Sequence, residues 1–247
     1  LLAKKGISEE KIAEQLACFE KGFPFLKLSA AASVENGGIM KADEKECEQY
    51  LAAWDAYKAG DKKIVKFVPA SGAASRMFKD MFAFLGADYD EPRTDFEKKF
   101  FDNIEKFAFY DELNAACVKN EGKDIAALVA AGNYKAVVAN MLESRGLNYG
   151  QLPKGLLLFH RYEDGVRTPL EEHLVEGALY ASSAGEANVH FTVSHEHKAL
   201  FEKKVAEKKD KYVAKFGINY NISFSEQKPS TDTIAANPDN TPFRNAD

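Results

Sequence analysis

Residues Ile64 to Lys79 read IVKFVPASGAASRMFK, and the rest of the chain is arranged around them. Ile64-Val65-Lys66-Phe67-Val68 is a short run of strand type, rich in β-branched residues. Pro69-Ala70-Ser71-Gly72-Ala73-Ala74-Ser75 is a loop of small residues, and from Arg76 onward Met77, Phe78, Met81, Phe82 and Leu85 recur at helical spacing. The order is strand, tight loop, helix. Small side chains let backbone N–H groups approach a ligand closely, and a helix N-terminus adds about half a positive charge. The expected guest is an anion.

On the N-terminal side, residues 1 to about 60 read as helical. Ser8 before Glu9 and Glu10 starts a helix with Ile12, Leu16 and Phe19 on one face, ending near Gly22. Asp43 to Glu46 has capping-box form and precedes a stripe of Cys47, Tyr50, Leu51, Trp54 and Tyr57. These aromatic residues are expected to pack, as a cover on the main domain.

On the C-terminal side, residues from about 86 to 150 read as a helical insertion, with stripes at Phe96, Phe100, Ile104 and Phe107, at Ile125, Leu128 and Val129, and at Val137, Val138, Met141 and Leu142. Leu156 to Phe159 reads as a buried strand, and Asp164-Gly165 as a turn. Thr168-Pro169-Leu170-Glu171 has Thr at N-cap, Pro at N1 and Glu at N3, a strong helix start. Val189 to Val193 predicts a strand, about Glu196 to Tyr212 a helix, and Ile218, Tyr220, Ile222 and Phe224 an alternating strand. That succession argues for βαβ units and a mostly parallel sheet.

A net charge of −5 over 247 residues speaks against a nucleic-acid polymer as partner, because neutralising phosphates takes a basic excess. Cys18, Cys47 and Cys117 are odd in number and widely separated, and read as buried free thiols of a reducing compartment. No apolar run is long enough to span a bilayer and no signal-peptide pattern opens the chain, so no membrane is expected and the location reads as cytoplasmic. The polar stretch Asn237 to Asp247 has no closing element, so the chain is expected to continue beyond it.

The loop fails two familiar phosphate patterns. It lacks the Gly-Lys-Ser or Gly-Lys-Thr ending of a P-loop, and Gly72-Ala-Ala-Ser-Arg-Met lacks the third small residue of a dinucleotide fingerprint. Asp90 and Glu91 lie where a ribose-binding acid would, but no strand precedes them. His195-Glu196-His197 lacks the spacing that puts two imidazoles on one helix face for zinc. His160-Arg161, at the end of an expected strand, could face a pocket. Glu171 and Glu172 are explained by helix capping, and the Lys-rich run from Lys203 to Lys215 is interleaved with acids as on a solvated helix face.

A third pattern fits. Ala70 to Met77 resembles the signature of sugar-phosphate nucleotidyltransferases, a small-residue loop after the first strand that ends in Gly-Thr-Arg-Met or Gly-Thr-Arg-Leu. Leu152-Pro153-Lys154-Gly155 resembles the Pro-Lys pair that follows in that superfamily. Gln227-Lys228-Pro229 with Ile234-Ala235 is similar to its base-reading loop. The chain as a whole resembles an uncharacterised bacterial family, a domain of unknown function grouped with these enzymes.

The resemblance implies an α/β, Rossmann-like fold with a mostly parallel sheet of the nucleotidyltransferase type. Residues 1–62 would be a helical extension, and 63–247 the α/β domain with its helical insertion at about 86–150. The loop residues Ala70, Ser71, Gly72, Ala73, Ala74 and Ser75 would hold nucleotide phosphates, and Arg76 the β and γ phosphates that leave. Lys154 would contact the attacking sugar phosphate or the α-phosphate, and Gln227 a nucleobase. The implied chemistry is in-line attack by a sugar 1-phosphate on an NTP, with Mg2+. The implied partners are a nucleotide and a phosphorylated small molecule. A rival of a different class is a non-catalytic nucleotide-binding or protein-interaction module on the same fold. Ala74 in place of the usual second Gly, and the long helical stretch between Arg76 and Lys154, favour that rival.

Overall fold

The computed structural model describes residues 2–243, which fall into two compact units, Lys58–Glu226 and a smaller one made of residues 2–57 with 227–243. The larger unit is built on a parallel sheet. Strand β1 (Val65–Pro69) pairs with β5 (Glu186–Val193), which pairs in turn with β6 (Asn219–Glu226), both in parallel. A two-residue strand β4 (Ser182–Ser183) turns through Ala184 and Gly185, both at positive φ, into the start of β5. The fold is thus mixed α/β with a parallel sheet, as the strand and helix order predicts.

Alternation decides the two faces of this sheet. Ala187, Val189, Phe191 and Val193 of β5 are buried with Val68 of β1 and Tyr220 of β6, beneath helices α9 (Pro169–Tyr180) and α10 (Lys198–Phe216). The spatial order β1, β5, β6 follows the chain order in one direction. Right-handed crossovers running one way along a sheet deliver their helices to the same face. The opposite face carries Phe67 stacked on His190, whose ring bonds Ser223 and Ser225 of β6 at 2.8 Å each.

The second core of this unit is helical, formed by α4 (Lys79–Leu85), α5 (Asp95–Asp102), α6 (Tyr110–Glu121), α7 (Ile125–Ala130) and α8 (Tyr134–Leu142). Phe84, Phe100, Leu113, Ile125, Leu128, Val137, Val138 and Met141 meet there. The expected insertion is therefore a packed helical layer, and it begins before residue 86, since Ala74, Phe78 and Met81 belong to the same core. Its last helix ends in a clamp. The carbonyls of Asn140, Met141 and Leu142, which lack helical partners, accept from the N–H groups of Leu147, Tyr149 and Gly150 at 2.8, 3.0 and 3.0 Å. The chain thereby doubles back along α8 and is aimed at the loop after β1.

Leu156 to Phe159 is not a strand. Lys154 to Leu156 forms a 3-10 turn, and the chain then runs to a hairpin of β2 (His160–Tyr162) and β3 (Gly165–Arg167) closed at Asp164-Gly165. The reason is that this apolar run straddles two cores: Leu156 is buried with the sheet and Leu157 with the helices. Burial on both sides gives the same continuous apolar signal as a buried strand. The helix expected from Glu196 begins at Lys198, after a 3-10 turn at His195–His197.

In the smaller unit, α1 (Leu2–Lys5) precedes α2 (Glu9–Lys21), capped by Ser8 as expected, and α3 (Glu44–Lys58) starts on the reciprocal Asp43 and Glu46 bonds of a capping box. The local starts hold, but the stripes are not buried: neither α2 nor α3 contains a buried residue. Phe23, Phe25, Leu26 and Leu28 follow in exposed chain outside any helix or strand, Phe25 fully exposed.

The three cysteines are free, but only Cys117 is buried; Cys18 is half-buried and Cys47 exposed. Burial pushes the Cys117 thiol up to about 11. Since the thiolate is the reactive form, iodoacetamide at pH 8 should alkylate Cys47 first and leave Cys117 unmodified until the protein unfolds. Peptide mapping over time checks the order, and early labelling of Cys117 would contradict the core packing described.

Candidate functional site

Strand β1 hands the chain to the small-residue loop at the carboxyl end of the sheet, the end at which α/β proteins bind ligands. Ala70 N–H makes the last ladder bond, to the Thr192 carbonyl at 2.7 Å. Beyond it the loop meets a segment from far along the chain: Lys154 N–H donates to the Gly72 carbonyl at 3.0 Å, and Ala73 bridges Pro153 in antiparallel fashion. The N–H groups of Ser71, Gly72, Ala73 and Ser75 donate to no protein acceptor among the described residues. Gly72, Ala73, Ser75 and Arg76 are exposed. Ala74 is 1% exposed and packs in the helical core, so its methyl group faces away from the open side of the loop.

The helix expected to open at Arg76 starts only at Lys79 and has seven residues. Arg76 lies instead in a turn closed by the Met77 N–H to Ala74 carbonyl bond at 2.9 Å. The loop therefore gains nothing from a helix dipole at Arg76, and its positive potential comes from free amides and side chains. Among the described residues neither the Arg76 guanidinium nor the Lys154 ammonium has a hydrogen-bonding or ionic partner.

Between the loop and α9 lies a cleft of about 170 Å3. Ala70, Gly72 and Lys154 line it on one side, Pro169, Leu170 and His173 on the other, with Phe191 and Phe201 at its floor. Lys154 thus stands in the same cleft as the loop, with the intervening helical layer folded aside. Gly155 is required for this: a Cβ there would come within 2.8 Å of the Phe201 ring.

His173 is the polar group of this cleft that sequence reasoning misses. Its Nδ1 donates to the Glu176 carboxylate at 3.0 Å, and that carboxylate also accepts from Lys66 at 2.8 Å. Lys66 in turn reaches the Tyr180 hydroxyl at 2.5 Å. Burial opposes charge on Glu176, yet the bonds from Lys66 and His173 outweigh it and hold the carboxyl below its usual range. Burial likewise opposes charge on Lys66, and its bonds to Glu176 and Tyr180 outweigh it and hold the ammonium above its usual range. The available signal was the His-x-x-Glu spacing on a helix whose start at Thr168 was already legible.

The other candidates are placed elsewhere. His160 pairs with Glu172 at 3.1 Å, and Arg161 donates to the Phe107 carbonyl at 3.0 Å. His195 bonds Glu226 at 2.7 Å, and His197 bonds Ser194. Glu171 closes the capping box of Thr168, and Glu172 faces Arg167 at 3.5 Å. Asp90 lines a separate groove of about 430 Å3 on the helical layer, beside Lys135. Gln227 follows β6 directly, is exposed, and belongs to the smaller unit. Among the described residues no group of three or more His, Cys, Asp and Glu is arranged to hold a metal, and no carboxylate lines the cleft. No described helix is long and apolar enough to cross a membrane.

Compared with known proteins, residues 1–247 match the model of one family, described as Domain of unknown function (DUF4301). The chain belongs to that family. No curated protein and no solved structure matches it.

Proposed function

We propose that this member of the DUF4301 family is a nucleotide-binding protein of the sugar-phosphate nucleotidyltransferase type. One observation carries the reading: Lys154, distant in sequence, is bonded through its backbone to Gly72 and shares a cleft with the loop. In this reading the free amides of Ser71, Gly72, Ala73 and Ser75 hold the phosphates of an NTP or nucleotide sugar on the exposed side of the loop. Arg76 neutralises the phosphates that leave and Lys154 the phosphates that react. The reaction is attack by a sugar 1-phosphate oxygen on the α-phosphorus, with pyrophosphate departing. Positioning and fixed positive charge supply the catalysis. Among the described residues no group of three or more His, Cys, Asp and Glu is arranged to hold a metal, and in this reading Mg2+ accompanies the nucleotide's own phosphates. Such substrates carry a cytoplasmic location with them.

The test is a thermal-shift screen against the common NTPs and nucleotide sugars, with and without Mg2+. Arg76→Ala and Lys154→Ala should each weaken nucleotide affinity about tenfold or more, as expected for loss of a charged hydrogen bond, with unchanged melting temperature in the absence of ligand. Full affinity in both variants would overturn the reading.

A second reading rests on a separate observation. The apolar side chains of Phe23, Phe25, Leu26, Leu28 and Met40 in the smaller unit are each more than three-quarters exposed. Four of the five fall within residues 23–28, and exposed apolar side chains so grouped mark a surface for a partner protein. It supports a non-catalytic interaction module, and Mg2+-independent failure to bind any nucleotide in the screen would favour it.

A further inference from the structure

The cleft itself is too small for a nucleotide, since ligand pockets for molecules of that size occupy roughly 300–1,000 Å3. At about 170 Å3 it holds a fragment. Two polar side chains reach it, Lys154 and His173, and the remaining walls are the loop backbone and apolar groups. We infer that this cleft is a subsite for a small phosphomonoester, or an oxyanion of that size, held between the Lys154 ammonium and the His173 imidazole.

The argument for His173 is one of tautomer and orientation. A carboxylate only accepts, so the 3.0 Å contact with Glu176 puts the proton on Nδ1. Nε2 is then the nitrogen left for a ligand, and no described residue bonds it. Glu176 is fixed in its turn by Lys66, whose side chain is 15% exposed, so the ring is set by a chain of contacts running from α9 into β1. Packing of the ring edge-on against Phe191 holds it from the other side. Such an orienting carboxylate is what a histidine needs when it must present one nitrogen in one direction. An imidazole so placed donates to a phosphate oxygen when protonated, or accepts from a monoanionic phosphate or a hydroxyl when neutral. The charged groups that bear on it are Glu176 and Lys66 from the α9 and β1 side and Lys154 from across the cleft.

This subsite rests on the reading of the loop and Lys154 as a phosphate site but does not need the nucleotide, which would lie on the loop's exposed side. It would take the phosphorylated end of the second substrate. The two readings can therefore fail separately.

The experiment is a titration of the full chain, labelled with 15N-histidine, with inorganic phosphate and then with a sugar 1-phosphate, followed by NMR of the imidazole nitrogens. The expected result is a saturable shift of the His173 Nε2 signal, with His195 and His197 unmoved. His173→Gln and Lys154→Ala should each lower phosphate affinity about tenfold. An unmoved His173 signal at saturating ligand, or unchanged affinity in His173→Gln, overturns the subsite even if nucleotides bind. A His173 shift with phosphate in a protein that binds no nucleotide upholds the subsite and removes the nucleotide. Because the wild-type signal is read directly, the result does not depend on whether the variants fold.

Discussion

Gly146→Ala will destabilise the protein by about 3 kcal/mol or more, at the upper end for an overpacked site. A Cβ at this position would stand 1.8 Å from the Asn140 carbonyl oxygen and within 2.7 Å of the Asn140 carbon atoms. All of these are backbone atoms, so no side chain can rotate away to make room. The chain must shift, and the first bonds lost are Gly146 N–H to Glu143 and Leu147 N–H to Asn140, at 3.0 and 2.8 Å. Those bonds begin the clamp that satisfies the carbonyl end of α8 and directs the chain toward Pro153 and Lys154. The substitution should therefore weaken ligand binding as well as the fold. Equilibrium denaturation checks it, with a lowered midpoint at unchanged slope as the signature. Gly72→Ala is the matched control: nothing lies within 4 Å of the added methyl, and its cost should fall within about 0.5 kcal/mol. A loss below about 1 kcal/mol in Gly146→Ala would show that the clamp is looser than described.

The second large effect is expected at Glu171. Its carboxylate is 1% exposed and is held from four directions, by the Thr168 N–H and hydroxyl at 3.1 and 3.2 Å, the Tyr212 hydroxyl at 3.1 Å and the Lys208 ammonium at 3.5 Å. Tyr212 is itself buried, and burial together with the neighbouring carboxylate keeps its phenol protonated far above the usual range. Glu171→Ala removes the side-chain half of the capping box, leaving the Thr168 cap on the backbone N–H of residue 171, and strands the buried Tyr212 hydroxyl without an acceptor. The expected loss is about 3–5 kcal/mol, the cost of breaking a buried charged network from one side. Glu171→Gln keeps the shape and one acceptor oxygen, and should lose distinctly less. Calorimetry on the pair gives the order. Equal losses would mean that the charge, rather than the bonds, holds α9 in place. The consequence reaches the cleft, since Pro169, Leu170 and His173 stand on the turns that this cap secures.

Helix starts and strand alternation were legible in the residues themselves. Ser8, the Asp43 and Glu46 pair, and the Thr168, Pro169 and Glu171 start each act within three or four positions, and each forms where its pattern stands. Tyr220 buried between exposed Asn219 and Asn221 is likewise a period-two signal that neighbours alone impose. The strand and loop at Val65 to Ser75 belong to this class. The tertiary structure alone decided which of these pieces meet. Leu156 and Leu157 face two cores, so an apolar run that resembles a strand is a turn between layers. Arg76 falls in a turn because Ala74 and Phe78 are drawn into the helical core ahead of the helix. His173 becomes a cleft residue only because α9 packs beside the loop, and Lys154 reaches Gly72 only because the clamp at α8 returns the chain there. Short-range order follows from capping, φ/ψ preference and side-chain periodicity, which are properties of adjacent residues. The site is made by contacts between segments far apart in the chain, and the burial that brings them together has no local signature.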